Sequence, residues 1–238
     1  VISQSLVDRV LEELDSEELA EEVRLARAAF FEHIPDLCED DPSHEALTHC
    51  FLHWLVIDRP LGGGGGTPLQ RYAAERDPSP GLRRELAALA ASVHGLFEVL
   101  RIEEQGVWLR DLHRLEKLRV TERRQLAGLA RGDLLEARLV PLGDKLVFAS
   151  GAYLLHPHKA RAAILAAVGR ARLEGSPERF ELTQRVQALT FRYRDRYRER
   201  VPVEKVYSEA AFSGPVQPTL APADPRPARE SGSTPPAP

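Results

Sequence analysis

The feature that most constrains this chain is a change of rhythm in its middle third. Up to about residue 93 the apolar side chains recur every three to four positions, whereas from Leu96 they recur every second position. The first spacing lines one face of a helix and the second one face of a strand. Phe97-Glu98-Val99-Leu100-Arg101-Ile102 alternates, Gln105-Gly106 turns, and Val107-Trp108-Leu109-Arg110-Asp111 alternates again. That is a hairpin signature, with glycine where a positive φ is expected. Further short strands are predicted over residues 118–120, 134–140, 145–149 and 153–155, with turns at Gly132-Asp133 and Gly143-Asp144. Five or six strands with turns this tight predict a small antiparallel barrel of SH3-like or OB-like type, because closing the sheet removes its exposed edges. Residues 122–130 are ambiguous and fit a helical insertion between strands.

On the N-terminal side, Leu6, Val7, Val10, Leu11 and Leu14 are followed, after Asp15-Ser16, by Leu19, Val23, Ala26, Phe30 and Phe31, predicting two helices or one kinked helix over 3–32. Pro35 and Asp40-Asp41-Pro42-Ser43 mark a break and a cap for a third helix running to about Asp58. Its apolar half collects Ala46, Leu47, Cys50, Phe51, Trp54, Leu55 and Ile57. Gly62 to Gly66 form a flexible joint. Thr67-Pro68 and Ser79-Pro80 then each place a capping hydroxyl before a proline at the first helical position. After Pro157 helical spacing returns with Ile164, Leu165, Val168 and Leu173, and again with Leu182, Val186, Leu189, Tyr193 and Tyr197. The last 26 residues hold eight of the 18 prolines, a composition that predicts a disordered tail. The expected class is α+β: a helical region at 1–93, a small barrel at 94–156, C-terminal helices at 157–209 and a Pro-rich tail at 210–238.

Composition narrows the functional classes. A net charge of −4 gives no global reason to expect nucleic acid or an anionic membrane. No apolar run approaches the roughly 18 residues of a membrane span. The first 22 residues carry eight acidic groups against one arginine, unlike a signal peptide, so a cytoplasmic setting is expected, without a membrane partner. Cys38 and Cys50 are too few for a disulfide framework and read as free thiols.

His49, Cys50 and His53 have metal-ligand chemistry on one helix, but sequence places no further ligands to complete a tetrahedral zinc site, so they read as surface and boundary residues. No metal and no cofactor are expected. The glycine run lacks the Gly-Lys-Ser/Thr ending of a phosphate loop. No nucleophile elbow, metal-hydrolase helix or dinucleotide fingerprint is present, and no catalytic residue is assigned. Residues 190–200 carry Arg192, Arg194, Arg196 and Arg198 among aromatics, the one stretch with the composition of a nucleic-acid surface. Tyr193 and Tyr197 nevertheless continue a buried stripe, and Asp195 and Glu199 partly neutralise the arginines.

The run Phe51-Leu-His-Trp54, Asp58-Arg59, the glycines and Thr67-Pro68-Leu69, then Phe97-Glu98-Val99, Leu109-Arg110-Asp111-Leu112 and 132–141 resembles a group of uncharacterised bacterial proteins that often carry a SEC-C zinc motif. The likeness covers roughly residues 45–156, and the cysteine-rich zinc element is missing here. It implies a helical layer followed by a small barrel, and it lends no activity. The expected function is a non-catalytic cytoplasmic binding or adaptor protein presenting its helices and barrel to a protein partner. Trp54, Asp58, Arg59, Glu98, Asp111 and Arg138 are the candidate binding residues. The alternative is RNA or single-stranded nucleic-acid binding through the barrel and the four arginines of 192–198. A metal-dependent enzyme using His49 and His53 is a third, weaker reading.

Overall fold

A computed structural model describes residues 2–14, 17–32, 34, 44–62, 66–75, 77–122, 128–149, 153–173, 179–196, 200–208 and 211–212. The interruption at 35–43 with Cys38, the glycines 63–65, most of the ambiguous 122–130 segment and the Pro-rich tail, apart from Ala211 and Phe212, lie outside the described residues. The chain is α+β. Helices α1 (Ile2–Leu14), α2 (Glu17–Phe31), α3 (His44–His53), α4 (Pro68–Ala74) and α5 (Pro80–Ala90) precede strands β1 (Val93–Glu103), β2 (Gly106–Asp111), β3 (Lys117–Thr121), β4 (Leu134–Leu142), β5 (Lys145–Phe148) and β6 (Leu154–Leu155). Helices α6 (Arg161–Leu173), α7 (Arg179–Phe191) and α8 (Val203–Val206) follow. No helix among the described residues is long and apolar enough to cross a membrane.

Local signals act where their chemistry predicts. The Thr67 hydroxyl accepts from Gln70 N at 3.3 Å while the Gln70 side chain accepts from Thr67 N at 2.9 Å, closing a reciprocal cap at the start of α4. Ser79 Oγ accepts from Leu82 N at 3.3 Å at the start of α5. The expected third helix does reach Asp58, but it widens into a π-helical segment over Trp54–Asp58. Trp54 through Ile57 are all buried, so this stretch is enclosed on every side rather than on one half of a cylinder.

The strands pair into a hydrogen-bonded ring: β1 with β2, β2 with β3, β3 with β5, β5 with β4, and β4 back to β1, with β6 added on β4. All pairings are antiparallel except that of β3 and β5, joined at Val120 and Leu146. This corrects the expectation of a wholly antiparallel sheet. A closed circuit with an odd number of strands cannot alternate direction throughout, so one neighbouring pair must run parallel. Strand β1 serves both sides of the ring. Its residues 93–98 pair with β4, while 97–99 and, beyond an irregularity between Val99 and Arg101, 101–103 pair with β2. Before that irregularity Val99, the ladder partner of Leu109, also bonds to the backbone of Gly132 and Asp133, at 2.8 and 2.9 Å.

Three apolar clusters follow from the alternation. Phe97, Val99, Val107, Leu109, Val120, Leu135, Ala137 and Leu139 fill the ring. Helices α1 to α5 pack around Phe30, Phe51, Trp54 and Leu55, joined by Val140. The C-terminal helices pack around Ile164, Val186, Leu189 and Tyr193, joined by Leu96 and Leu134. Strand β4 therefore contributes to all three. Its remaining outward residues, Glu136 and Arg138, are 1% and 6% exposed, covered by helices rather than by water.

Candidate functional site

Among the described residues, one outer face of the ring is left open. Alternation that turns Val107, Leu109 and Val120 inward turns Trp108, Arg110, Lys117 and Arg119 outward. The register sets Arg119 opposite Trp108, Lys117 opposite Arg110 and, from β1, Arg101 opposite Trp108. Trp108 is half-buried and the Arg101 guanidinium lies 5.7 Å from its ring centre, a cation–π contact. Glu103 organises this group. It accepts from Trp108 Nε1 at 3.0 Å and from Arg119 Nε at 3.1 Å, and it pairs with Arg101. Arg119, the indole N–H and then Arg101 hold its carboxyl below the usual range. The face thus combines one aromatic platform with four cations against the carboxylates of Glu103 and Glu98.

The residues expected from sequence fall in three other places. Arg138, from β4, forks onto Asp58 at the end of the π-helical segment and donates to Ser92 Oγ at 2.9 Å. Next to it, Arg59 stacks 5.3 Å over the Trp54 ring and lies 3.7 Å from Glu22. Trp54, Asp58, Arg59 and Arg138 are therefore brought together as a seam tying helices to ring. Glu98 stands apart: His94 is the partner of Arg138 in the β1–β4 ladder, and Glu98 lies four residues further, roughly 13 Å along the strand. It is 7% exposed and bound by Arg161 at 2.5 Å and Arg110 at 3.3 Å. Asp111 closes the β2–β3 connection, where its Oδ1 accepts from His113 N at 2.8 Å and Arg114 N at 3.1 Å. A cavity between α2 and α7, lined by Phe30, Ile34, Glu181, Gln184, Arg185 and others, contains none of these six.

Arg192 and Arg194 lie in a π-helical segment that extends α7 and are half-buried, while Tyr193 between them is 2% exposed. The side chain of Arg196 and all of Arg198 lie outside the described residues. Arg194 acts electrostatically on buried His156 and Tyr207. Thr190 Oγ1 donates to Val186 O at 2.9 Å and contacts His156 Nδ1 at 2.8 Å and the Tyr207 hydroxyl at 3.0 Å.

A second polar group, not singled out in the sequence, sits between α3, the ring and α7. Glu136 Oε1 contacts His94 Nε2 at 3.0 Å and accepts from Gln187 Nε2 at 2.9 Å, with Cys50 alongside. The missed signal is one of parity: in Leu134-Leu135-Glu136-Ala137-Arg138-Leu139-Val140 the charged residues alternate with ring-filling ones yet belong to an otherwise apolar strand.

A protein-family model matches residues 4–189. The chain belongs to a family of unknown function, DUF7986. The DUF7986 match takes in the whole ring, the Trp108 face, the Asp58–Arg138 seam and the Glu136 group, and it stops before the arginines of 192–198. No curated protein and no solved structure matches the chain significantly.

Proposed function

We propose that the chain is a non-catalytic binding protein whose strand ring is an OB-like barrel that takes single-stranded nucleic acid on the Trp108 face. The circuit β1-β2-β3-β5-β4 with its parallel β3–β5 contact suits a five-stranded Greek-key barrel, and such barrels bind oligonucleotides on the sheet around their second and third strands. That part is analogy of fold. The observation that carries the reading is local: a half-exposed indole flanked by Arg101, Arg119, Arg110 and Lys117 on one outward face. A base can stack on the indole while the cations meet the phosphates. Placing the cations on β1 to β3 replaces the 192–198 arginines as the main electrostatic surface.

The test is a titration of fluorescent oligo-dT and oligo-U at low and moderate salt. Binding should weaken linearly in log salt, as expected when phosphate counterions are released. Trp108→Ala should weaken it about tenfold, the worth of roughly one stacked base. No binding at low salt sinks the proposal. A protein-binding adaptor in the cytoplasm, with kinship to the bacterial proteins that often bear SEC-C elements, is the second reading. The acidic first helices favour it: Glu12, Glu21 and Glu32 are exposed. On that reading Trp108→Ala leaves oligonucleotide affinity unchanged.

A further inference from the structure

Cys50 from α3, His94 from β1 and Glu136 from β4 bring their donor atoms within 4.8 Å of one another. The fold forces this meeting. His94 and Glu136 both point out of the ring, since Leu96 is the ladder partner of Glu136 and His94 that of Arg138, and α3 lies over them with Cys50 on its inner side.

As a purely structural network the group is poorly completed. Among the described residues, Glu136 is 1% exposed, its Oε1 is engaged twice, and its Oε2 has no partner of hydrogen-bond geometry, the Cys50 thiol lying alongside the carboxylate. Buried carboxylate oxygens are rarely left so, because desolvation is then uncompensated. His53, one turn beyond Cys50, is 4% exposed, and its Nε2 is likewise without a partner among the described residues. An unused carboxylate oxygen and an unused imidazole nitrogen accompany a thiol and a second imidazole in one enclosed layer.

We propose that Cys50, His94 and Glu136 bind a single divalent ion of the zinc class, with solvent in the fourth position. Sulfur, imidazole and carboxylate together suit Zn²⁺ and do not suit Mg²⁺ or Ca²⁺, which take oxygen ligands. Tetrahedral zinc places its donors about 3.3–3.6 Å apart, so the three groups need to close only slightly. Charge balances. The Cys50 proton leaves to solvent, His94 ligates as the neutral ring with its proton on the other nitrogen, and thiolate plus carboxylate neutralise the dication. Gln187 keeps its bond to Oε1, which fixes the carboxylate with Oε2 free, the outer support that metal ligands commonly have. Arg138 is held by Asp58, so its charge is answered outside the site. A site of this kind would fasten α3 to the β1–β4 ladder.

The inference is independent of nucleic-acid binding and is tested on the full chain, purified without a histidine tag and stripped with chelator. Co²⁺ is added alone as the spectroscopic probe. One equivalent should bring up a thiolate-to-cobalt charge-transfer band together with tetrahedral visible bands, and Zn²⁺ should bleach both. Cys50→Ser should abolish the charge-transfer band, Cys38→Ala should keep it, and Glu136→Gln should weaken Co²⁺ binding at least tenfold. Should the ligand variants fail to fold, wild-type thiol labelling decides: Zn²⁺ should slow alkylation of Cys50 at least tenfold, mapped by peptide mass. Absence of the charge-transfer band in folded wild type, its survival in Cys50→Ser, or unchanged alkylation overturns the proposal.

Discussion

Arg138 leaves the middle of β4 to grip Asp58, eighty residues earlier in the chain, and the two partners are unequally exposed: the arginine side chain is 3% accessible and the aspartate 35%. Removing the carboxylate strands a buried cation, whereas removing the arginine leaves an acid that water can reach. Asp58→Ala should therefore cost about 1–3 kcal/mol, discounted for the screening of the exposed partner. Arg138→Met, apolar and similar in length, should cost less. Urea midpoints of the two variants check the order, and a larger loss for Arg138→Met would contradict the asymmetry.

Glu103 both holds Trp108 and places a negative charge on the proposed binding face. Glu103→Gln keeps a side-chain acceptor for the indole N–H and removes the charge. Oligonucleotide affinity should rise about three- to fivefold at low salt, with the gain shrinking as salt screens the face. Anisotropy titrations at two salt concentrations measure this. A fall in affinity would mean that orientation of the indole matters more than charge.

His156 contributes to an acid limb of stability, together with His53, whose burial lowers its imidazole from 6.5 to about 3. Burial, reinforced by Arg194 and opposed by Glu136, lowers the His156 imidazole from 6.5 to about 4. Below pH 6.5 the unfolded chain takes up a proton that the folded chain refuses until about pH 4. The stabilisation is thus complete above 6.5 and is lost as pH falls toward 4, at about 1.4 kcal/mol per pH unit. By pH 5 this amounts to about 2 kcal/mol. His156→Gln should make this part of the curve less steep while the share of His53 remains, read from unfolding midpoints between pH 7.5 and 5; parallel curves for variant and wild type would assign the limb to other groups.

Two backbone positions in the same pair of strands should respond with opposite sign. A Cβ on Gly106 would stand 2.4 Å from Val120 O, so Gly106→Ala must push β2 and β3 apart and cost about 1–3 kcal/mol. Leu115, in the turn joining β2 to β3, holds a φ of 62° and is 50% exposed. A leucine is strained there and a glycine is not, so Leu115→Gly should stabilise by about 1 kcal/mol. Thermal melts of both variants test the pair.

The strands and most helices were legible because each is written in local chemistry. Period-two alternation fixed β1 to β5, and the hydroxyl-proline pairs at Thr67 and Ser79 fixed two helix starts. Ring closure was legible only as an economy of edges. The parallel β3–β5 contact depends on how many strands close the circuit, which no single strand records. Among candidate residues, Asp58 with Arg138 and Trp54 with Arg59 do meet. Asp111 is occupied by its own turn, and Glu98 by two arginines. Trp108, Glu136, His94 and Gln187 went unnoticed because outward positions on a strand can face either water or another layer, and that choice is made by segments far away in sequence.

The placement of Val140, Leu134 and the Leu135–Ala137–Leu139 set on one strand has a mechanical consequence. Fraying β4 would loosen the N-terminal helices, the ring interior and the C-terminal helices at once, so the molecule should melt as a single calorimetric transition, with no layer surviving the loss of that strand.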